Sequence, residues 1–153
     1  MNRIALLMVA GLSLISTSIG AKAPTKPIDI VVYRSPTCSC CGRWVEHMRN
    51  NNFNVQDNVT DAVQSVKDKY GVTAELASCH TALVDGYVVE GHVPAEDIMA
   101  LLQKRPKVVG LAVPGMPVGT PGMEMANKKD DYDVVSFDSK KRTAIFKSYH
   151  PGE

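Results

Sequence analysis

Three cysteines fall within four residues, Cys38, Cys40 and Cys41, and a fourth stands at Cys79. Cys38 and Cys41 form a C-x-x-C pair, the spacing that lets two thiols at the start of a helix reach each other. The helix dipole and its free N–H groups favour thiolate there. Alone, that pair points to disulfide exchange. Cys40 changes the chemistry, because a third thiolate beside a reactive pair either shuffles the disulfide or serves as a ligand, and three converging thiolates repel one another until a soft cation binds. Soft thiolates select copper(I), zinc or iron–sulfur centres over hard ions. Closed zinc sites want four tetrahedral ligands, normally from two separated pairs, which this crowded spacing disfavours. Copper(I) accepts two or three thiolates, and a sulfur can bridge two ions, so the cluster suits several copper ions. Thiol–disulfide exchange and an iron–sulfur or zinc module stay open as alternatives. Exported proteins most often use an even cysteine count for structural disulfides. A vicinal Cys40–Cys41 bridge, however, would be a strained ring rather than a cross-link.

Cys79 lies in Ser78-Cys79-His80-Thr81, directly before a strand, and is placed to complete the site from a facing loop. The alternatives are a buried core cysteine or a disulfide to the cluster. Neighbouring strand residues point to opposite faces, so at most one of Cys79 and His80 is expected to bind a metal directly, and Cys79 is the better candidate. His47 follows Cys41 by six residues, about 600° around a helix and so about 120° off its face, which makes it a secondary candidate. His92 is read as ordering the turn Glu90-Gly91-His92-Val93-Pro94. His150 carries no reading of its own. Met116, Met123 and Met125 share one Pro/Gly-rich stretch. Their thioethers either bind copper(I), surviving oxidation better than thiols, or plug the core. Trp44 is read as core beside the site.

The elements that must position these groups are legible. Ile28–Tyr33 is a β-branched run of strand length, followed by the turn Arg34–Thr37. From there Cys41, Trp44, Val45 and Met48 recur at helical spacing until Asn50–Asn52. Phe53–Asn58 reads as a strand. Thr60 would cap a helix with Ala62, Val63, Val66 and Tyr70 inward and Gly71 closing it. Thr81–Val84 and Tyr87–Val89 flank Asp85-Gly86, a hairpin signal. Pro94 starts a helix with Glu96 and Asp97 in its first turn and Ile98, Leu101 and Leu102 inward, stopped by Arg105-Pro106. The order β-α-β-α-β-β-α is that of a thioredoxin-like domain. The expected fold is a single α/β domain over 28–153, a central mixed sheet flanked by helices. Val113–Met125 must be a loop, and Tyr132–Phe137 and Thr143–Phe146 form a C-terminal strand extension.

Residues 1–20 read as a secretion signal, with Arg3 basic, Ile4–Ile15 apolar and Ser18-Ile19-Gly20 a cleavage site. Residues 21–27 are a short leader. The apolar run is well short of the roughly 20 residues that span a bilayer, so a periplasmic protein free of the membrane after cleavage is expected. The chain carries 17 Lys and Arg against 16 Asp and Glu. Removing Arg3 leaves it neutral, so nucleic acid is not an expected partner. A domain of this size needs no metal merely to fold, and any metal would serve function.

Together Cys38-x-Cys40-Cys41-x-x-Trp44-x-x-His47, Ser78-Cys79-His80-Thr81-Ala82, Glu90-Gly91-His92-Val93-Pro94-Ala95-Glu96-Asp97-Ile98 and Pro114-Gly115-Met116-Pro117-Val118-Gly119 closely resemble the CopG-type periplasmic copper-resistance proteins. The four motifs match in order over about residues 28–125. The resemblance implies a thioredoxin-like fold, a cysteine-bridged multi-copper centre on the Cys-x-Cys-Cys turn, and a role in copper homeostasis that includes interconverting copper(I) and copper(II). Copper chaperones or efflux components of the periplasm are the implied partners. Ser39, Asn52 and Thr120 depart from the family pattern without removing a candidate ligand.

Overall fold

The computed structural model describes residues 26–150. The expected signal and all but the end of the leader lie outside the described residues. Seven strands and three helices follow in the order β1 (Ile28–Arg34), α1 (Ser39–Asn50), β2 (Phe53–Val59), α2 (Val63–Lys69), β3 (His80–Val84), β4 (Tyr87–Glu90), α3 (Ala95–Lys104), β5 (Gly110–Ala112), β6 (Tyr132–Phe137) and β7 (Thr143–Tyr149). One mixed sheet runs β2-β1-β3-β4-β5-β6-β7. β1 pairs parallel with β2 and antiparallel with β3. The C-terminal extension continues the same sheet, with β5 parallel to β4 and β6 and β7 antiparallel beyond it. The first seven elements keep the order expected of a thioredoxin-like domain. Among the described residues no helix is long and apolar enough to cross a membrane.

Burial follows the sequence pattern where the period is clean. Cys41, Trp44, Val45 and Met48 form the buried face of α1. Trp44, Val45 and Met48 pack with Ile98 and Leu101 of α3 against Ile30, Val32, Ala82, Val84 and Val89 on one face of the sheet. On the other face Val72 and Leu76 cover Val88, Ala112 and Phe137. The Asp85-Gly86 hairpin has positive φ at both central residues, as a type I′ turn requires.

Two elements differ from the sequence reading. β5 was not expected, because three residues carry too little period to be seen. Gly110 is the reason it fits: a Cβ there would stand 1.8 Å from the Val88 carbonyl oxygen. The second helix begins at Val63 rather than after Thr60, whose hydroxyl instead accepts a bond from the Ala62 N–H. Its buried residues are Val63 and Lys67, while Ala62 is exposed and Val66 and Tyr70 are half-buried.

Lys67 turns inward because a carboxylate waits for it. Period-two alternation sends His80, with Ala82 and Val84, toward α1 and Thr81 toward α2. Glu90, fully buried at the end of β4, forms an ion pair with the Lys67 ammonium. It also accepts from the Thr81 hydroxyl at 2.6 Å and the Ser78 N–H at 2.7 Å. Replacing Lys67 by Met would leave that carboxylate buried without its counter-charge. Lys67→Met is expected to cost about 3–5 kcal/mol in urea unfolding, and a loss under about 1 kcal/mol would refute this account.

Candidate metal centre

The turn between β1 and α1 delivers the thiols. Arg34, ending β1, holds Asp57 of β2 through two side-chain bonds of 2.8 and 2.9 Å, and the Cys38 N–H donates to the Ser35 carbonyl. Cys38 is the residue before α1, and no side chain caps the helix start. The free N–H groups and positive dipole end of α1 therefore face the sulfurs. Cys38 and Cys41 are joined in a disulfide. Cys40 Sγ lies 3.4 Å from Cys38 Sγ and 4.0 Å from Cys79 Sγ. All four sulfurs sit within 4.8 Å of one another. Cys41 is buried, while the other three are half-buried and face the opening.

Cys79 and His80 both reach the cluster. The alternation argument does not separate them, because Cys79 stands in a bend ahead of β3, which starts at His80. Sulfur of Cys41 and ring nitrogens of His80 and His92 form a second convergent group within 4.8 Å, every member buried. His80 lies between Trp44, 4.3 Å away between ring centroids, and His92 at 5.0 Å. Trp44 forms the floor and donates its indole N–H to the Val93 carbonyl at 2.9 Å. The role read for His92, ordering its own turn, misses this: its Nδ1 reaches forward to the Pro121 carbonyl at 2.7 Å. The one available signal was its motif's company with the other three.

The methionine loop lies over the start of α1. A Cβ on Gly122 would stand 2.8 Å from the Cys40 carbonyl oxygen and the Trp44 nitrogen, so only glycine lets the chain approach this closely. Arg43 Nε donates to the Gly122 carbonyl at 2.8 Å, and the Ser78 hydroxyl bonds the Gly115 carbonyl. Met116 and Met125 are 56% and 61% exposed and do not plug the core, while Met123 is half-buried. His47 stands apart from the sulfurs. Its Nε2 accepts the Ala95 N–H at 3.2 Å, which satisfies one free donor at the start of α3. His150 pairs with Asp131.

Burial sets the protonation of the site. It pushes the Cys79 thiol up to about 11, with neighbouring Cys40 adding to the rise. Desolvation also holds His80 far below the ordinary imidazole value and His92 below it. At neutral pH the pocket thus holds a neutral Cys79 thiol and neutral imidazoles, whose lone pairs are free for a cation that displaces the thiol protons.

A family model described as "Protein of unknown function, DUF411" matches residues 76–123, the span that carries Cys79, His80, His92, Met116 and Met123. No curated protein matches the chain. A solved structure named copper resistance protein CopG form 2 is 43% identical, covers 82% of this chain and 100% of its own, and superposes with a TM-score of 0.78. A second, form 1, is 44% identical over 81% of this chain and 98% of its own, with a TM-score of 0.77. The chain belongs to the CopG family of copper-resistance proteins. With the cysteine cluster, membership in the CopG family supports a copper-related function.

His47 should act on stability. Burial lowers its pKa below the usual value of 6.5. Its contribution is therefore complete above about pH 6.5 and is lost as pH falls toward the lowered folded value. His47→Ala is expected to cost about 1 kcal/mol at pH 7.5, to flatten the decline in thermal stability below pH 6.5, and to leave copper content unchanged. Loss of copper would return His47 to the ligand set.

Proposed function

We propose that this chain binds copper at a thiolate-bridged centre made by Cys38, Cys40, Cys41 and Cys79, in the periplasm, after export on residues 1–20. The observation that carries the reading is the convergence of four sulfurs within 4.8 Å from two separate segments, three of them open toward solvent. That many soft donors in one small pocket suit copper(I), and sulfurs this close can each bridge two ions, which favours more than one ion per chain.

The disulfide decides when the centre is available. Closed, the Cys38–Cys41 pair withholds two thiolates; opened by a reductant, it offers both. The same dithiol can reduce two copper(II) ions to copper(I), yielding the disulfide and releasing two protons. That balance gives a direct route for interconverting the two oxidation states. Exposed Met116 and Met125 place thioethers on the loop that covers the centre, where a chaperone or efflux component of the periplasm would hand copper over.

A second reading, disulfide exchange on proteins, is favoured by the closed pair at the start of α1. The two separate in one experiment. Reduced protein titrated with copper(I) under a competing chelator is expected to bind more than one ion per chain, the disulfide form at least about tenfold more weakly, and Cys40→Ser fewer ions than the native chain. Zero copper on the reduced protein, together with rapid insulin reduction, would favour the exchange reading.

The rise of Cys79 to about 11 makes uptake pH-dependent. Binding displaces its proton along with those of the other reduced thiols, so apparent affinity is expected to increase at least about tenfold per pH unit between about pH 6 and 8, and less steeply in Cys79→Ser. An unchanged slope in that variant would exclude Cys79 from the centre. Osmotic-shock fractionation tests the location: the mature chain, starting near Ala21, should leave with the periplasmic fraction, and retention with spheroplasts would refute export.

A further inference from the structure

Two buried histidines remain outside the four-thiol centre. Each is fully shielded from solvent, and three of their four ring nitrogens, both of His80 and Nε2 of His92, have no hydrogen-bond partner. The backbone of Gly91 lies beside the His80 ring but makes no bond of normal geometry with it. A buried polar nitrogen left unbonded costs about 1–3 kcal/mol. A site carrying three such nitrogens in one small pocket is built for something that satisfies them.

Their orientation says what. The Pro121 carbonyl can only accept, so Nδ1 of His92 carries the proton and Nε2 presents its lone pair inward. An imidazole tied at one nitrogen to a backbone carbonyl and free at the other is the arrangement of a metal ligand. Pro121 belongs to the loop whose next residue, Gly122, is pressed against α1, so the carbonyl that orients the ring is itself fixed. The third member of this group is Cys41 Sγ, all three ligand atoms lying within 4.8 Å. Two imidazoles and one thiolate form the donor set of trigonal copper sites that hold both oxidation states.

We infer that Cys41, His80 and His92 form an inner copper position, with two nitrogens and one sulfur, beneath the outer thiols and sharing Cys41 with them. This rests on the reading that the pocket handles copper, and it adds a position whose donors tolerate copper(II) where the all-sulfur position favours copper(I). The inner position has no opening of its own, because all three residues are buried while Cys38, Cys40 and Cys79 are half-buried. Copper reaches it through the outer thiols. On entry the Cys41 thiol proton leaves to solvent and no electron is transferred.

The test removes the outer position and keeps the inner one. Chain carrying Cys38→Ser, Cys40→Ser and Cys79→Ser, loaded with copper(II), is expected to hold about one ion with a thiolate-to-copper charge-transfer band in the visible and nitrogen coupling from two imidazoles in its paramagnetic resonance spectrum. Adding His92→Gln should remove both signatures. Absence of bound copper, or of imidazole coupling, in the folded triple variant would overturn the inner position. Should circular dichroism show that variant unfolded, the native chain decides. Reduced, ¹⁵N-histidine-labelled protein titrated with silver(I) should show the His80 and His92 ring nitrogens shifting while His47 stays fixed, and unmoved His80 and His92 signals would overturn the inference. A native chain that binds no copper at all would instead refute the four-thiol reading, so the two failures are distinguishable.

Discussion

The buried carboxylate of Glu90 sets the position of half the site without belonging to it. By holding the Ser78 N–H and the Thr81 hydroxyl at once, it brackets Cys79 and His80 between two fixed points, one on each side. Lys67 neutralises the charge. A buried ion pair of this kind adds little net stability over an apolar replacement, so its presence here is better understood as fixing geometry. The Ser78 hydroxyl adds a bond to the Gly115 carbonyl, and strand pairing holds His80 opposite Arg34. Together these bring the sulfur of Cys79 and the ring of His80 to the start of α1.

A pocket made this way is dry on its inner side and open on its outer side. The neutral His80 ring, tilted against Trp44 and meeting His92 edge-on, lowers the local polarity, and the dipole end of α1 supplies positive potential without a side-chain charge. Fixed dipoles of this sort favour thiolate yet do not fill the place of a cation, as a lysine beside the sulfurs would. The loop from Val113 to Met125 acts as a roof tied over the site through the backbone carbonyls of Gly115, Pro121 and Gly122. Val113 and Thr120 turn inward from it, while Met116 and Met125 stand in solvent.

Much of this was legible in the sequence. The face Cys41-Trp44-Val45-Met48 gave α1, Asp85-Gly86 gave the hairpin, and three thiols in four residues marked the site, because local period and turn chemistry are written locally. β5 escaped because its three residues are defined by the partner strand and by the absence of a side chain at Gly110. The inward turn of Lys67 escaped because a lysine at a helical core position makes sense only once Glu90 is known to lie opposite. The convergence of His80 and His92 escaped for a related reason. A period-two rule applied across Cys79 assumed that the strand had already begun, and the contact of His92 with Pro121 spans 29 residues.

Cys41 belongs to both convergent groups and to the disulfide, and this single shared atom has a thermodynamic consequence. Oxidation at that sulfur weakens both groups at once, so metal and oxidant are linked as competing ligands of the same protein. Whatever factor disulfide closure takes from ion affinity, a bound ion must take from the tendency of the disulfide to close. In an oxidising compartment, an occupied pocket therefore protects its own thiols, and an empty one is the form that locks.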